Sequence, residues 1–160
     1  MGLDMYLEAR RFVSGYSHSG EEENQLFNDL AKTVGMEQAH DERYITVNVN
    51  IAYWRKANAI HEWFVKNVQD GEDDCKSYYV GREKLQELHD VCRKVVEAGT
   101  QEVAEKLLPT ASGFFFGDTA YDEYYFEQVD WTAKRLAEIL RTIPEKSGMT
   151  GVDFYYNSSW

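Results

Sequence analysis

The sequence predicts an α+β fold, in which helices pack on one face of a mixed or antiparallel sheet of about five strands. Several short segments alternate apolar and polar residues, which is typical of half-buried strands. Other segments repeat apolar residues every three or four positions, which is typical of amphipathic helices. The two kinds of segment are mixed along the chain with no repeat and no linker, so residues 1–160 are predicted to form a single domain.

The first part of the chain is predicted to contain one strand and then a separate segment. Leu3–Val13 alternates apolar and polar residues, as a strand with one buried face does. Residues 14–25 are polar and acidic and predict a loop. Apolar residues at helical spacing over 26–34 predict a short helix that ends at Gly35. We predict that residues 14–43 form a mobile or inserted segment.

The second predicted strand, Tyr44–Ile51, leads almost directly into a helix predicted over Tyr53–Val68. The strand alternates regularly, with one set of residues expected on the buried face and another set opposite: Ile45, Val47, Val49 and Ile51 against Thr46, Asn48 and Asn50. One stripe of the helix is expected to face the core: Tyr53, Ala57, Ile60, Phe64 and Val68.

The rest of the chain is predicted to combine short strands with longer helices. In order, these are the strand Ser77–Val80, the helix Arg82–Glu97, the helix Gln101–Leu108 before Pro109, the central strand Ser112–Gly117, a helix ending near Arg141, and a strand within 152–160. Thr119 and Asp122 precede the long helix and resemble an N-capping pair.

The charge balance is strongly acidic, with 28 Asp and Glu residues against 17 Lys and Arg residues and a formal net charge of −11. Binding to a phosphate backbone depends on clustered Lys and Arg, so direct nucleic-acid binding is not expected. The same charge admits another hypothesis, in which an acidic surface imitates DNA for a basic partner protein. The candidate partner-binding residues lie in one acidic turn, which lacks the ligand spacing of an EF-hand: Asp70, Glu72, Asp73 and Asp74.

Neither a secretory signal nor a membrane segment is expected. The N-terminus has no long apolar run, and no stretch approaches the ~18 apolar residues that a membrane helix needs. The two cysteines, Cys75 and Cys92, fit a reducing cytoplasm. Together with His61 and His89 they lack the paired spacing of structural zinc sites, so no metal and no cofactor is predicted.

A candidate ligand surface lies where the second strand leads into its helix. Its predicted members are Asn48, Asn50, Trp54, Arg55, Asn58, His61 and Arg82. Asn58 both donates and accepts hydrogen bonds, and the charge of His61 changes near neutral pH. Arg55 or Arg82 would contact an anionic group. A simpler interpretation, which the residues favour, is that His61 is structural and bonded to a neighbouring strand or loop.

Several blocks of the sequence resemble a family of small uncharacterised proteins of bacteriophages and prophages. The blocks are the start MGLDMYL, the segment AYWRKANAIHEWFV, the turn QDGEDDCKSYYV, the run GFFFG and the end FYYNSSW. They cover most of the chain outside residues 14–43, and WRKANAIHEWF is the most specific of them. The resemblance implies a phage accessory protein that acts in the host cytoplasm, and it implies no catalytic residue.

The function expected from these observations is binding rather than catalysis. The ligand would be a small anionic molecule or a host or defence protein, and counter-defence is one hypothesis for the role. Three alternatives stay open: an acidic, DNA-mimicking inhibitor of a host or defence protein, a small nucleotide-processing enzyme that uses His61 with a nearby carboxylate, and a homo-oligomer. The motifs of well-marked enzyme classes, such as phosphate-binding loops and hydrolase elbows, are absent from the sequence.

Overall fold

The structure, a computed structural model, describes residues 2–38, 43–145 and 151–160. It confirms the α+β class. Within the described residues the strands are β1 (Asp4–Ser14), β2 (Tyr44–Arg55), β3 (Tyr78–Val80) and β4 (Asp153–Ser159). The helices are α1 (Glu21–Thr33), α2 (Asn58–Asn67), α3 (Arg82–Ala98), α4 (Gln101–Leu107) and α5 (Glu123–Thr142), with a 3-10 turn at Ser17–Ser19.

The strands form one antiparallel sheet in the order β2-β1-β4-β3. β3 pairs with β4 so that Val80 lies opposite Phe154. Leu3, directly before β1, and Met5 and Leu7 within it are fully buried, and the residues between them are half-buried. One side of β1 therefore contributes to the core, as its alternation predicts.

The predicted central strand Ser112–Gly117 is wrong, so the described residues form four strands rather than about five. Two glycines allow the chain to turn here. The N–H group of Phe116 donates to the carbonyl of Gly113, and Gly117 adopts a left-handed φ of 88°. The apolar run does not mark a buried element, because Phe114 at its centre is 95% exposed.

The change from strand to helix occurs later than predicted. β2 continues through Arg55, and α2 begins only at Asn58, so Tyr53 is not part of a buried helical stripe. Tyr53 is 47% exposed, and its hydroxyl donates to Asp4 of the neighbouring strand. Ile51 and its neighbour Ala52 are both buried, so buried and exposed positions do not alternate strictly in this part of β2. Of the predicted buried face Ile45, Val47, Val49 and Ile51, only Ile51 is buried. Val49 is 52% exposed.

Two helix starts also differ from the prediction. α1 begins at Glu21, inside the predicted loop 14–25, because three glutamates suit the positive end of a helix. Glu23 is buried and forms an ion pair with Arg11 at 2.8 Å. At α5 the cap is Asp122 rather than Thr119, since its carboxylate accepts from the N–H group of Tyr125 at 3.0 Å.

The chain forms two compact units. The first comprises Met1–Glu8, Asn50–Pro144 and Phe154–Trp160, and the second comprises Ala9–Val49 and Glu145–Asp153. β1 and β2 each contribute residues to both units. That residues 1–160 form a single domain stays a prediction. The mobility of residues 14–43, which belong to the second unit, also stays a prediction, and residues 39–42 of that segment lie outside the described residues.

The first unit holds most of the buried apolar side chains. Phe64 of α2 stacks on Tyr156 of β4 with ring centroids 4.0 Å apart. The indole N–H of Trp54 donates to Thr132 of α5 at 2.8 Å. α3 packs against α5 through the predicted stripe Leu85, Leu88, Cys92 and Val95.

Candidate functional site

A cavity of about 170 Å³ lies in the first unit beside the start of α2. Three segments line it: residues 56–60, the α4–α5 connection around residues 110–120, and the first turns of α5. A cavity of this size matches the ~150 Å³ space that admits a benzene-sized ligand in another protein. It can therefore hold a molecule of about six to ten heavy atoms.

Asn58 attaches the α4–α5 connection to α2. Its amide group donates to the carbonyls of Phe116 at 3.2 Å and Asp118 at 2.8 Å. Its side-chain oxygen accepts from the N–H group of Ala111 at 3.1 Å. Because both amide protons and the oxygen are engaged, this buried side chain sets the shape of the cavity wall.

Lys56 is the basic residue among those that line the cavity. It sits in a left-handed conformation with φ of 56°, and its N–H group donates to the carbonyl of Leu3 at 2.7 Å. Its stem lies beside two glycines: a Cβ atom would come within 3.3 Å of Lys56 Cε at Gly2 and within 3.2 Å of Lys56 Cβ at Gly117. These glycines leave room for the side chain at the edge of the cavity.

The start of α2 adds a second source of positive potential. No side chain caps this helix; its cap residue is Ala57. The N–H group of His61 is the first in α2 to bond back to Ala57, so the amides of Asn58, Ala59 and Ile60 precede the intrahelical ladder. Such amides and the helix dipole favour a negative group.

The α4–α5 connection and the first turn of α5 add acidic and phenolic groups to the lining. Asp118 accepts from the N–H group of Ala120 at 2.9 Å, and Asp122 caps α5, so each carboxylate has one oxygen bonded to backbone. Tyr124 donates to the carbonyl of Arg55 at 2.9 Å, and Tyr125 donates to the carbonyl of Leu108 at 2.7 Å. Burial raises the pKa of Tyr125, which keeps its hydroxyl a hydrogen-bond donor.

His61 does not line the cavity. It is fully buried, and its Nδ1 lies 2.7 Å from the hydroxyl of Tyr156 while its Nε2 lies 3.0 Å from Asp73. Phe116 packs edge-on against the ring with centroids 5.0 Å apart. This is the structural arrangement that the residues favoured. Burial raises the pKa of Tyr156 well above its usual value, and the charge of Asp73 adds to this effect.

The other predicted ligand residues lie apart from the cavity. Trp54 is buried against α5, and Arg82 donates to the carbonyls of Leu140 and Ile143 at the end of that helix. Arg55 and Asn50 are exposed in the first unit, and Asn48 is exposed in the second. Of the seven predicted residues, Asn58 alone is among those that line the cavity.

The acidic turn is partly engaged within the chain. Asp73 accepts from the indole N–H of Trp160 as well as facing His61. Asp74 pairs with Lys76 at 2.6 Å, and this hydrogen bond lowers the pKa of Asp74. Asp70 and Glu72 are exposed. The role of the turn in partner binding stays a prediction.

Cysteine and histidine side chains do not gather into a metal site in the described part of the chain, where no group of three metal-binding side chains occurs. Cys92 is buried between α3 and α5, and Cys75 is exposed. Across residues 2–38, 43–145 and 151–160, no helix combines the length and apolarity required to cross a membrane.

Sequence reasoning missed Lys56 and the α4–α5 connection. The connection has no periodic pattern, and its apolar run GFFFG predicts a strand that the structure does not contain. One available signal was the clustering of Gly117, Asp118 and Asp122 shortly before a helix, a composition that marks turns and caps.

Comparison of the chain with protein-family models, curated proteins and solved structures finds no match.

Proposed function

We propose that the protein is a phage or prophage accessory protein that binds a small anionic molecule in the cavity beside α2. The cavity carries this proposal, because its lining combines the start of α2, which no side chain caps, with the basic side chain of Lys56. Ligand sites are typically concave, with a few polar groups that fix orientation. An acidic group of the ligand would meet Lys56 and the first amides of α2.

The two carboxylates in the lining narrow the ligand class. Asp118 and Asp122 each bond to backbone through one oxygen, and the other oxygen can accept a further proton donor. A ligand that carries an acidic group together with hydroxyl or amino donors satisfies both kinds of group in the lining. Triose phosphates and small amino acids have this chemistry at about the size of the cavity.

Two observations make the His61 enzyme a weaker proposal than binding. Both ring nitrogens of His61 already face protein atoms, Tyr156 on one side and Asp73 on the other. A general base must reach the proton of its substrate, and a fully buried imidazole between two partners has no lone pair to offer. An enzyme of this kind would first have to break one of these bonds.

Thermal unfolding of the full chain tests the proposal. The probes are inorganic phosphate, glycerol 3-phosphate, small carboxylates and small amino acids, each in excess. At about 100-fold over Kd, a ligand stabilises the folded state by ~2.7 kcal/mol, which raises Tm by about 5–10 °C for a chain of this size. We expect at least one class of anion to produce such a shift.

Two variants and a matched control assign the shift to the cavity. Lys56→Gln removes the charge, and Ala120→Trp fills the space from an exposed position on the wall. Lys66→Gln is the control, because Lys66 lies on α2 outside the cavity with its side chain 60% exposed. Both cavity variants should abolish the shift and the control should retain it. A panel without any shift, or a shift that survives both cavity variants, would refute the proposal.

A further inference from the structure

The first part of β2 is an edge strand whose side chains are poorly covered. β2 ends the strand order of the sheet. None of the six residues Tyr44–Val49 is buried, although Ile45, Val47 and Val49 are apolar. An uncovered edge exposes a row of backbone N–H and C=O groups that can pair with another strand.

Natural proteins usually protect such an edge, and this segment lacks two of the usual devices. Charged side chains and proline on the edge prevent pairing between molecules. Tyr44–Trp54 contains neither a charged residue nor a proline, in a chain where 28% of residues are charged. Further along the strand, the carbonyls of Ile51 and Arg55 accept from Arg135 and Tyr124 of α5. Tyr44–Val49 precedes that covered part.

The second unit has a small core of its own. Its described buried apolar side chains are Ala9, Val13, Phe27 and Ala31. Five large apolar side chains of the same unit are exposed: Phe12, Val34, Met36, Tyr44 and Val49. A core of this size supplies little hydrophobic stabilisation, so added apolar contact at the edge would stabilise the unit.

We propose that Ile45–Val49 pairs antiparallel with the same segment of a second copy of this chain, which makes a symmetric dimer. The segment is self-complementary about Val47. A two-fold axis there places Ile45 opposite Val49 and Thr46 opposite Asn48, while Val47 meets its own copy. Each apolar residue then faces an apolar residue, each polar residue faces a polar one, and no charge is enclosed. This interface is independent of the proposed ligand cavity.

Sedimentation velocity of the full chain tests the dimer. Between about 5 µM and about 500 µM, the sedimenting mass should rise from that of the 18.6 kDa chain to twice that value. Because the net charge of −11 opposes association, raising the salt concentration from ~0.05 M to ~0.5 M should strengthen the dimer. A monomer at every concentration, or a dimer that salt weakens, overturns the proposal.

A matched pair of substitutions locates the interface. Val49→Lys places a charge opposite Ile45 of the second copy. Because the dimer is symmetric, this charge occurs twice in the interface. Val34→Lys is the control, since Val34 is 56% exposed, close to the 52% of Val49, and lies beyond α1. Val49→Lys should weaken association at least tenfold and Val34→Lys should leave it unchanged. Equal effects of the two substitutions overturn the placement.

Disulfide trapping checks the register without relying on affinity. In a Cys75→Ser background, Val47→Cys places two thiols across the two-fold axis, within about 5.5 Å between Cα atoms. Tyr44→Cys is the control, because its two copies would lie ~20 Å apart, six residues along the strand pair. Oxidation should link the Val47→Cys chains into covalent dimers and leave the Tyr44→Cys chains monomeric. Equal crosslinking of both variants overturns the register.

Discussion

At the residue scale, Asn58 and His61 are distinctive because every polar atom of each side chain is hydrogen-bonded inside the fold. Asn58 bonds to three backbone groups of the α4–α5 connection, and His61 bonds to one residue through each ring nitrogen. Buried polar groups are expensive to leave unpaired, so both residues stabilise the positions of the segments that they join. Asn58 thereby affects the cavity without offering a donor to its ligand.

Removing the Asn58 side chain should therefore destabilise the protein substantially. Asn58→Ala leaves one N–H group and two carbonyls of the connection without their partner, at a cost of about 2–4 kcal/mol. Urea unfolding measures this cost. Asn67→Ala is the comparison, since exposed Asn67 makes one side-chain bond to a carbonyl within α2 and should cost less than ~1 kcal/mol. Similar costs for the two variants would contradict the anchoring role of Asn58.

At the scale of elements, alternation and helical periodicity identified most strands and helices. α3 and β4 follow their predicted stripes, because buried and exposed positions alternate there at a constant period. Prediction failed where something other than periodicity decides the conformation. The two glycines of Ser112–Gly117 make a turn from an apolar run, and Lys56 in a left-handed conformation delays α2. The cavity was missed because non-periodic chain forms one of its walls.

Arg82 provides a test at the end of an element. Its guanidinium group donates to the carbonyls of Leu140 and Ile143, which lie at the C-terminus of α5 where backbone acceptors lack intrahelical partners. Arg82→Gln should lower the free energy of unfolding by about 1–2 kcal/mol. Arg93→Gln should change it by no more than ~0.5 kcal/mol, because among the described residues Arg93 pairs with Glu97 at an exposed position. Equal losses in urea unfolding would contradict the capping role.

At the scale of the whole molecule, one buried thiol and two buried phenol groups make the folded state less stable at alkaline pH. Burial raises the pKa of Cys92, Tyr125 and Tyr156 above the usual values of 9.0 for cysteine and 10.0 for tyrosine. Above those values the unfolded chain loses protons that the folded chain keeps, so the unfolded state gains stability as pH rises. Below about pH 9 these three groups are protonated in both the folded and the unfolded state, and their contribution to stability is fully present.

Unfolding in urea at a series of pH values checks this dependence. The free energy of unfolding should be constant with respect to these groups below pH 9 and should fall above it, by up to ~1.4 kcal/mol per pH unit for each group. Tyr156→Phe should reduce the slope above pH 10 by one such step. A slope unchanged in Tyr156→Phe would show that Tyr156 does not stay protonated in the fold.

An NMR titration of the full ¹⁵N-labelled chain tests ligand binding in the cavity beside α2 most directly. The probes are inorganic phosphate and the anions of the thermal panel. We predict that saturating shifts concentrate at the amides of residues 56–60 and 117–124, and that Lys56→Gln removes them. Shifts concentrated instead at Arg82 or at Asp70–Asp74 would contradict binding in the cavity. The absence of shifts with every anion would contradict it as well.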